Sequence, residues 1–150
     1  VDGKQIASKS FKNGTVRLLN QMVTESVWIE IERWITEHTK DLTDVEMIGS
    51  GGNINKIFKL SGKSNKIPLS YTYLKSQYKI LENMTYEERI TKFELNTDRA
   101  DVIVPALSIY LNAMKWSKSK QIYVPKIGLS DGIVKAMYYG TSNIKVHEVK

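Results

Sequence analysis

One short stretch constrains this chain more than any other: Val45-Glu46-Met47-Ile48-Gly49-Ser50-Gly51-Gly52-Asn53-Ile54-Asn55-Lys56. A largely apolar run leads directly into three glycines within four residues, and a helix-like pattern follows. Gly51 and Gly52 can take φ > 0 and carry no Cβ, so a bulky anionic group can approach the backbone closely. A helix starting near Asn53 points its free N–H groups and its positive dipole end at the same place. Gly49, Ser50, Gly51, Gly52 and Asn53 therefore form a candidate phosphate-binding turn. It is not a P-loop, because no Gly-Lys-Ser/Thr closes it, and its spacing is not that of the dinucleotide G-x-G-x-x-G. A tight strand-to-helix turn with no ligand satisfies the same glycines, and both readings stand at this point.

The charge balance sets which partners such a turn would serve. The chain has 22 basic against 16 acidic residues in 150, a net charge of +6. Only Arg17, Arg33, Arg89 and Arg99 are arginines, and the other 18 basic residues are lysines. Lysine is a mobile point charge that suits a polyanion and reads bases poorly. The excess points to phosphate-rich small partners and away from nucleic acid. There are no cysteines, which excludes disulfides and thiolate metal sites and fits a cytoplasmic protein. His38 and His147 stand far apart without ligand spacing, so no metal site is expected from the protein's own residues. No apolar run approaches the roughly 20 residues of a membrane span, and no leader pattern opens the chain.

Taken in order, the chain alternates strand-like and helix-like segments, which argues for an α/β architecture. Asp2-Gly3 reads as a hairpin turn and residues 5–11 as a strand whose partner is missing, so the chain is expected to be cut inside a sheet. Thr15 is expected to cap a helix to about Met22, and Thr24 a second helix with Val27, Ile31, Trp34, Ile35 and His38 along one face. Residues 44–48 read as a buried strand and 53–60 as the helix after the glycine turn, stopped near Ser61-Gly62. Beyond the polar connector 64–66, Ser70 should cap a helix over 71–81. Thr85-Tyr86-Glu87-Glu88 is a capping box. Thr97 should cap one long segment, 98–116, kinked at Pro105. A short strand follows at 121–124, then a glycine turn at Gly128 and a last helix, 132–139, capped by Ser130 or Asp131 and ended by Gly140. Residues after Ser142 read as a tail or an edge strand.

Five motifs carry a resemblance. Gly14-Thr15-Val16-Arg17-Leu18 is similar to a Gly-Ala-Val-Arg-Leu motif, and Gly49-Ser50-Gly51-Gly52-Asn53 to Gly-x-Gly-Gly-Thr. Met84-Thr85-Tyr86-Glu87-Glu88-Arg89 resembles Met-Ser-x-Glu-Glu-Arg, and Gly128-Leu129-Ser130-Asp131-Gly132 resembles Gly-Leu-Arg-Glu-Gly. Asp98-Arg99-Ala100-Asp101-Val102-Ile103-Val104-Pro105-Ala106 is nearly letter for letter Asp-Arg-Ala-Asp-x-Ile-x-Pro-Ala. In this order they resemble the exopolyphosphatase / guanosine pentaphosphate phosphatase family. The departures are Lys126-Ile127, where the family carries small residues, and Ser130-Asp131 in place of Arg-Glu.

The resemblance implies a ribonuclease-H-like domain of the actin, heat-shock ATPase and sugar-kinase superfamily, a partial sheet with several flanking helices. Residues 1–150 would be most of the second domain of a two-domain phosphatase, truncated at its N-terminus. The whole protein would hydrolyse a terminal phosphoanhydride of inorganic polyphosphate or guanosine pentaphosphate, with magnesium, in a cleft between the domains. Its general base would lie upstream, leaving no catalytic residue here and a chain that is silent by itself. Partners implied are the missing N-terminal domain, polyphosphate or guanosine penta- or tetraphosphate, and a second copy in a homodimer. The alternative is a non-catalytic domain that binds nucleotide or polyphosphate for regulation.

Charge neutralisation is the part of phosphoryl transfer these residues can supply. The five turn residues are the expected phosphate ligands, joined by Arg17 through the resemblance and by Arg99. For Arg99, an ion pair with Asp98, Asp101 or Glu88 competes with a cleft-facing role. Lys56 and Lys59 read as solvated lysines or as contacts to an anionic tail. Glu87, Glu88 and Asp131 have the residue type of a base, but helix capping accounts for all three.

Overall fold

The densest apolar stretch of the sequence becomes the helix around which the others pack. The computed structural model describes residues 5–64, 66–125 and 127–139. In chain order the elements are α1 (Thr15–Leu19), α2 (Glu25–Thr39), β1 (Met47–Ile48), α3 (Gly52–Leu60), β2 (Leu69–Ser70), α4 (Tyr71–Glu82), α5 (Tyr86–Phe93), α6 (Thr97–Ala100), α7 (Ile103–Ser117), β3 (Gln121–Tyr123) and α8 (Leu129–Tyr138). Helix α7 is packed by α1, α2, α3 and α4. Ile103, Leu107 and Met114 on its inner face meet Ile54 and Ile57 of α3 and Leu74 and Leu81 of α4, all essentially without solvent exposure. Each such side chain contributes about 1.5–3 kcal/mol of transfer free energy, so this cluster dominates the stability of the fold.

The sheet is small. Its order is β1-β3-β2, with β1 parallel and β2 antiparallel to the central β3. Met47 faces Ile122 and Ile48 faces Tyr123 across the parallel pair, and Leu69 faces Ile122 across the antiparallel one. Ile122 and Leu69 are fully buried and carry the sheet's share of the core.

Several sequence expectations hold as structure. Ser70 Oγ accepts the Tyr73 N–H at 3.2 Å and starts α4. The Thr85 capping box is complete, with Glu88 N–H to Thr85 Oγ1 at 3.2 Å and Thr85 N–H to Glu88 Oε2 at 3.0 Å. Gly62, at φ 65°, follows the end of α3. Ile31 is the buried residue of α2, and Trp28 of the same helix packs on Trp116 of α7 with ring centroids 5.9 Å apart.

Others are corrected. Residues 5–11 form no strand: Lys9 pairs with Glu30 at 2.8 Å and Phe11 lies edge-on to Trp34 at 5.8 Å, which holds the segment along α2. The expected strand 44–48 shrinks to Met47–Ile48 and is not buried, since Ile48 is 70% exposed. Gly14, not Thr15, precedes α1, which ends at Leu19. Strand β2 was not expected at all, because two residues carry no periodicity. The long segment 98–116 is two helices, not one kinked helix. Pro105 is the third residue of α7, where the backbone has no intrahelical acceptor to lose, so it opens a helix and bends none. Likewise α8 starts at Leu129 with Gly128 before it, and Ser130 lies inside the first turn. The turn at Asp2-Gly3, the stop at Gly140 and everything after Ser142 lie outside the described residues.

Candidate functional site

Because β1 and β3 are parallel neighbours, their carboxyl ends share one edge of the sheet, where open α/β sheets present ligands. Both glycine turns leave from that edge. Gly49 extends the ladder by one bond, its N–H reaching the Tyr123 carbonyl at 2.8 Å. The chain then turns through Ser50 and Gly51 into α3.

Gly51 stands at φ 118°, ψ 161°, a region open essentially to glycine alone. Its carbonyl accepts the first bond of α3, from the Asn55 N–H at 3.1 Å, and no side chain caps the helix. The N–H groups of Gly52 and Asn53 lie in the first turn, where helix geometry leaves them without an intrahelical acceptor. Gly51 and Gly52 are exposed and Asn53 is half-buried.

Two side chains from distant parts of the chain hold this turn. Tyr110 of α7 donates its hydroxyl to the Ser50 carbonyl at 2.7 Å. Arg99 of α6 donates Nη1 to the Gly52 carbonyl at 3.1 Å. A Cβ at position 52 would come within 3.0 Å of the Arg99 guanidinium, so glycine here admits the arginine. Among the described residues Arg99 has no ion pair with Asp98, Asp101 or Glu88; Glu88 pairs with Lys92 at 2.8 Å instead. Burial raises the Tyr110 hydroxyl pKa above 10, which keeps it a donor at neutral pH.

The motifs are also tied to one another. Arg89 sends Nε to the Leu81 carbonyl at 2.8 Å and Nη1 to the Ala100 carbonyl at 3.0 Å. It thus bridges the end of α4 to the residue after Arg99. The capping box aims α5, which carries Arg89, and α6 presents Arg99 to the glycine turn. Lys56 is engaged within the fold: its Nζ donates to the Glu94 carbonyl at the end of α5 at 3.0 Å, in an exposed position.

Arg17 is exposed on α1, and no hydrogen bond among the described residues joins it to the turn. Glu88 belongs to its capping box, and its carboxyl is held below its ordinary range by Lys92 and by the Thr85 N–H. Asp131 accepts the Gly128 N–H at 2.6 Å, so the N-terminus of α8 is met by the chain's own carboxylate. No group of three or more histidine, aspartate or glutamate side chains fit to hold a metal occurs among the described residues. No helix among them is long and apolar enough to cross a membrane.

A cavity of about 690 Å³ lies at the opposite edge of the sheet, between the ends of α2 and α7. Its charges are mixed: Lys40, Lys118 and Lys120 with Asp44 and Glu46. Glu46 is engaged, accepting from Gln121 Nε2 and Tyr123 Oη at 3.2 Å each. This cavity mixes charges of both signs, whereas the glycine turn offers uncapped backbone donors at a helix start, which suits an anion better.

The arrangement is an α/β domain with an uncapped glycine turn at the carboxyl edge of its sheet. Its fold is that of Ppx/GppA phosphatase structures. Superposition on the type II variant of the Aquifex aeolicus Ppx/GppA phosphatase gives a TM-score of 0.67 at 20% identity, covering 84% of this chain and 47% of that one. The exopolyphosphatase from Cytophaga hutchinsonii gives 0.72 at 18% identity, covering 92% of this chain and 51% of that one. An exopolyphosphatase-like protein gives 0.61 at 18%, with coverages of 89% and 50%. The chain therefore spans about half the length of the structures it matches. No protein-family model and no curated protein matches the sequence. The five-motif resemblance is borne out as a shared fold.

Tyr110 is the site residue that the sequence did not mark. Its ring belongs to the apolar pattern of α7, and its hydroxyl finds use only because folding brings in a carbonyl 60 residues earlier.

Proposed function

We propose that this chain is one domain, the second, of a hydrolase that releases terminal phosphate from inorganic polyphosphate or guanosine pentaphosphate. The domain is of the ribonuclease-H-like type shared by actin, heat-shock ATPases and sugar kinases, and it contributes phosphate-binding groups to a cleft between two domains. The observation that carries this reading is the uncapped, arginine-flanked glycine turn at the carboxyl edge of a fold matched to half of exopolyphosphatase structures.

Gly49, Ser50, Gly51, Gly52 and Asn53 hold phosphate oxygens through backbone N–H groups and the Ser50 hydroxyl. Arg99 adds positive charge beside them, and Arg17 reaches the same phosphates from α1. Their contribution to phosphoryl transfer is binding and charge neutralisation. Magnesium enters through the family resemblance. The described residues offer no carboxylate or histidine cluster for it, so its ligands are not assigned to this chain. The general base lies outside the chain, which by itself is catalytically silent. Through the family resemblance we read the protein as a cytoplasmic homodimer.

The experiment is phosphate release by the intact natural chain, with polyphosphate, guanosine pentaphosphate and ATP supplied separately with magnesium. Release from one of the first two is the expected result and identifies the substrate. Magnesium-dependent release by residues 1–150 alone would overturn the silent-domain reading. The alternative reading is a non-catalytic domain that binds nucleotide or polyphosphate for regulation. It predicts anion binding without phosphate release by the intact chain.

A further inference from the structure

Three successive peptide planes of the glycine turn have their carbonyls tied down. Ser50 O accepts from Tyr110 Oη at 2.7 Å, Gly51 O from the Asn55 N–H at 3.1 Å, and Gly52 O from Arg99 Nη1 at 3.1 Å. No cis peptide bond occurs among the described residues, and in a planar trans peptide the carbonyl and the following N–H point in opposite directions. Fixing those three carbonyls toward α7, the α3 ladder and α6 therefore turns the N–H groups of Gly51, Gly52 and Asn53 away from those partners. The Gly52 and Asn53 N–H groups then face the N-terminal end of α3, where the helix dipole favours an anion.

The Gly51 and Gly52 carbonyls lie on the helix ladder, with Arg99 adding a second bond at Gly52, but the Ser50 carbonyl, which precedes the helix, depends on a side chain. Gly51 alone could rotate its flanking peptides at little steric cost, because glycine accepts many backbone conformations. A rotated Ser50–Gly51 peptide would present a carbonyl oxygen where a phosphate oxygen is to bind. The Tyr110 hydroxyl opposes this at the Ser50 carbonyl, while Arg99 adds a tie where the turn enters α3, at the Gly52 carbonyl. Arg99 lies within the Asp98-Arg99-Ala100-Asp101 motif and Tyr110 eleven residues after it, so the consecutive helices α6 and α7 both meet the turn.

We propose that Tyr110 is a positioning residue of the glycine turn, acting with Arg99 as a two-point clamp that presents the Gly51, Gly52 and Asn53 N–H groups to a polyphosphate anion. This rests on the phosphate-binding reading given above. Tyr110 touches no substrate; it acts through the Ser50–Gly51 peptide.

The test uses the intact natural chain, inorganic tripolyphosphate as probe, and Tyr110→Phe, which deletes the hydroxyl and keeps the ring. Calorimetric titration should show affinity weakened roughly fivefold, the scale of one net hydrogen bond. Amide hydrogen exchange at Gly51 should quicken while the unfolding midpoint stays near that of the unsubstituted chain. Tyr78→Phe loses an equally short hydroxyl bond, 2.6 Å to Glu82, away from the turn and should leave both readouts unchanged. Arg99→Lys keeps the charge but loses the fork, and it should also weaken binding; equal affinity would make Arg99 a charge and no clamp. Unchanged affinity and exchange in Tyr110→Phe would overturn the proposal. If tripolyphosphate leaves the amides of 51–53 of the unsubstituted chain unmoved, the phosphate reading fails, and the exchange arm still decides whether Tyr110 orients the turn.

Discussion

The two glycine turns leave the same edge of the same parallel strand pair, yet they are built in opposite ways. After β1, the turn enters a helix whose inner face is core: Ile54 and Ile57 are fully buried and Phe58 nearly so. Its carbonyls are held from outside by Tyr110 and Arg99, and its first N–H groups are open. After β3, Gly128 enters a helix whose Ile133, Val134 and Met137 are exposed, and Asp131 occupies the helix N-terminus. A helix N-terminus attracts an anion in either case. Only the first leaves room for an external one, because the second has supplied its own.

The comparison can be broken first at the level of burial. Ile57→Ala removes a buried side chain from α3 and should cost about 2–5 kcal/mol, whereas Val134→Ala on α8, at 64% exposure, should stay within about 0.5 kcal/mol. Denaturant unfolding of both variants measures this, and similar losses would mean α8 is packed as firmly as α3.

Next in size are the glycines. Gly51→Ala puts a Cβ at φ 118° and should destabilise by about 1–3 kcal/mol while abolishing tripolyphosphate binding. Gly132→Ala, inside α8 with nothing within 4 Å of the new methyl, should stabilise by about 0.5–1 kcal/mol. Thermal melts of the pair give the two signs directly, and a neutral Gly51→Ala would remove the backbone argument for the first turn.

The caps come third. Asp131→Ala should free the α8 N-terminus at a cost of about 0.5–2 kcal/mol to that helix, seen as faster amide exchange over 129–138, with no gain in affinity at the first turn.

The smallest effect is with pH. The Glu88 carboxyl is lowered from 4.5 in the folded chain by Lys92 and the Thr85 N–H. Its contribution is therefore complete above 4.5 and is lost as pH falls through the lower folded value. Glu88→Gln should flatten that part of the acid-unfolding profile, and an unchanged profile would show that the capping box is not charge-assisted.

Much of this was legible along the chain because its causes are local. Ser70, Thr85 and Gly62 mark helix ends through bonds that span three or four residues, and the helices of 52–60, 71–82 and 86–93 follow from them. The glycine turn was legible for the same reason. What misled was local signal without a partner. Residues 5–11 read as a strand because a turn dipeptide precedes them but are clasped to α2, and 98–116 reads as one apolar helix although the chain breaks before Ile103.

The sequence by itself determined where α2, α4 and α5 start, that three glycines follow a short strand, and that arginine is scarce among the cations. Each of these is written in neighbouring residues. Tertiary structure alone decided which arginine reaches the turn and that Tyr110 fixes the Ser50 carbonyl across 60 residues. Those choices depend on the packing of α6 and α7 against α3, which brings together groups that no local spacing relates.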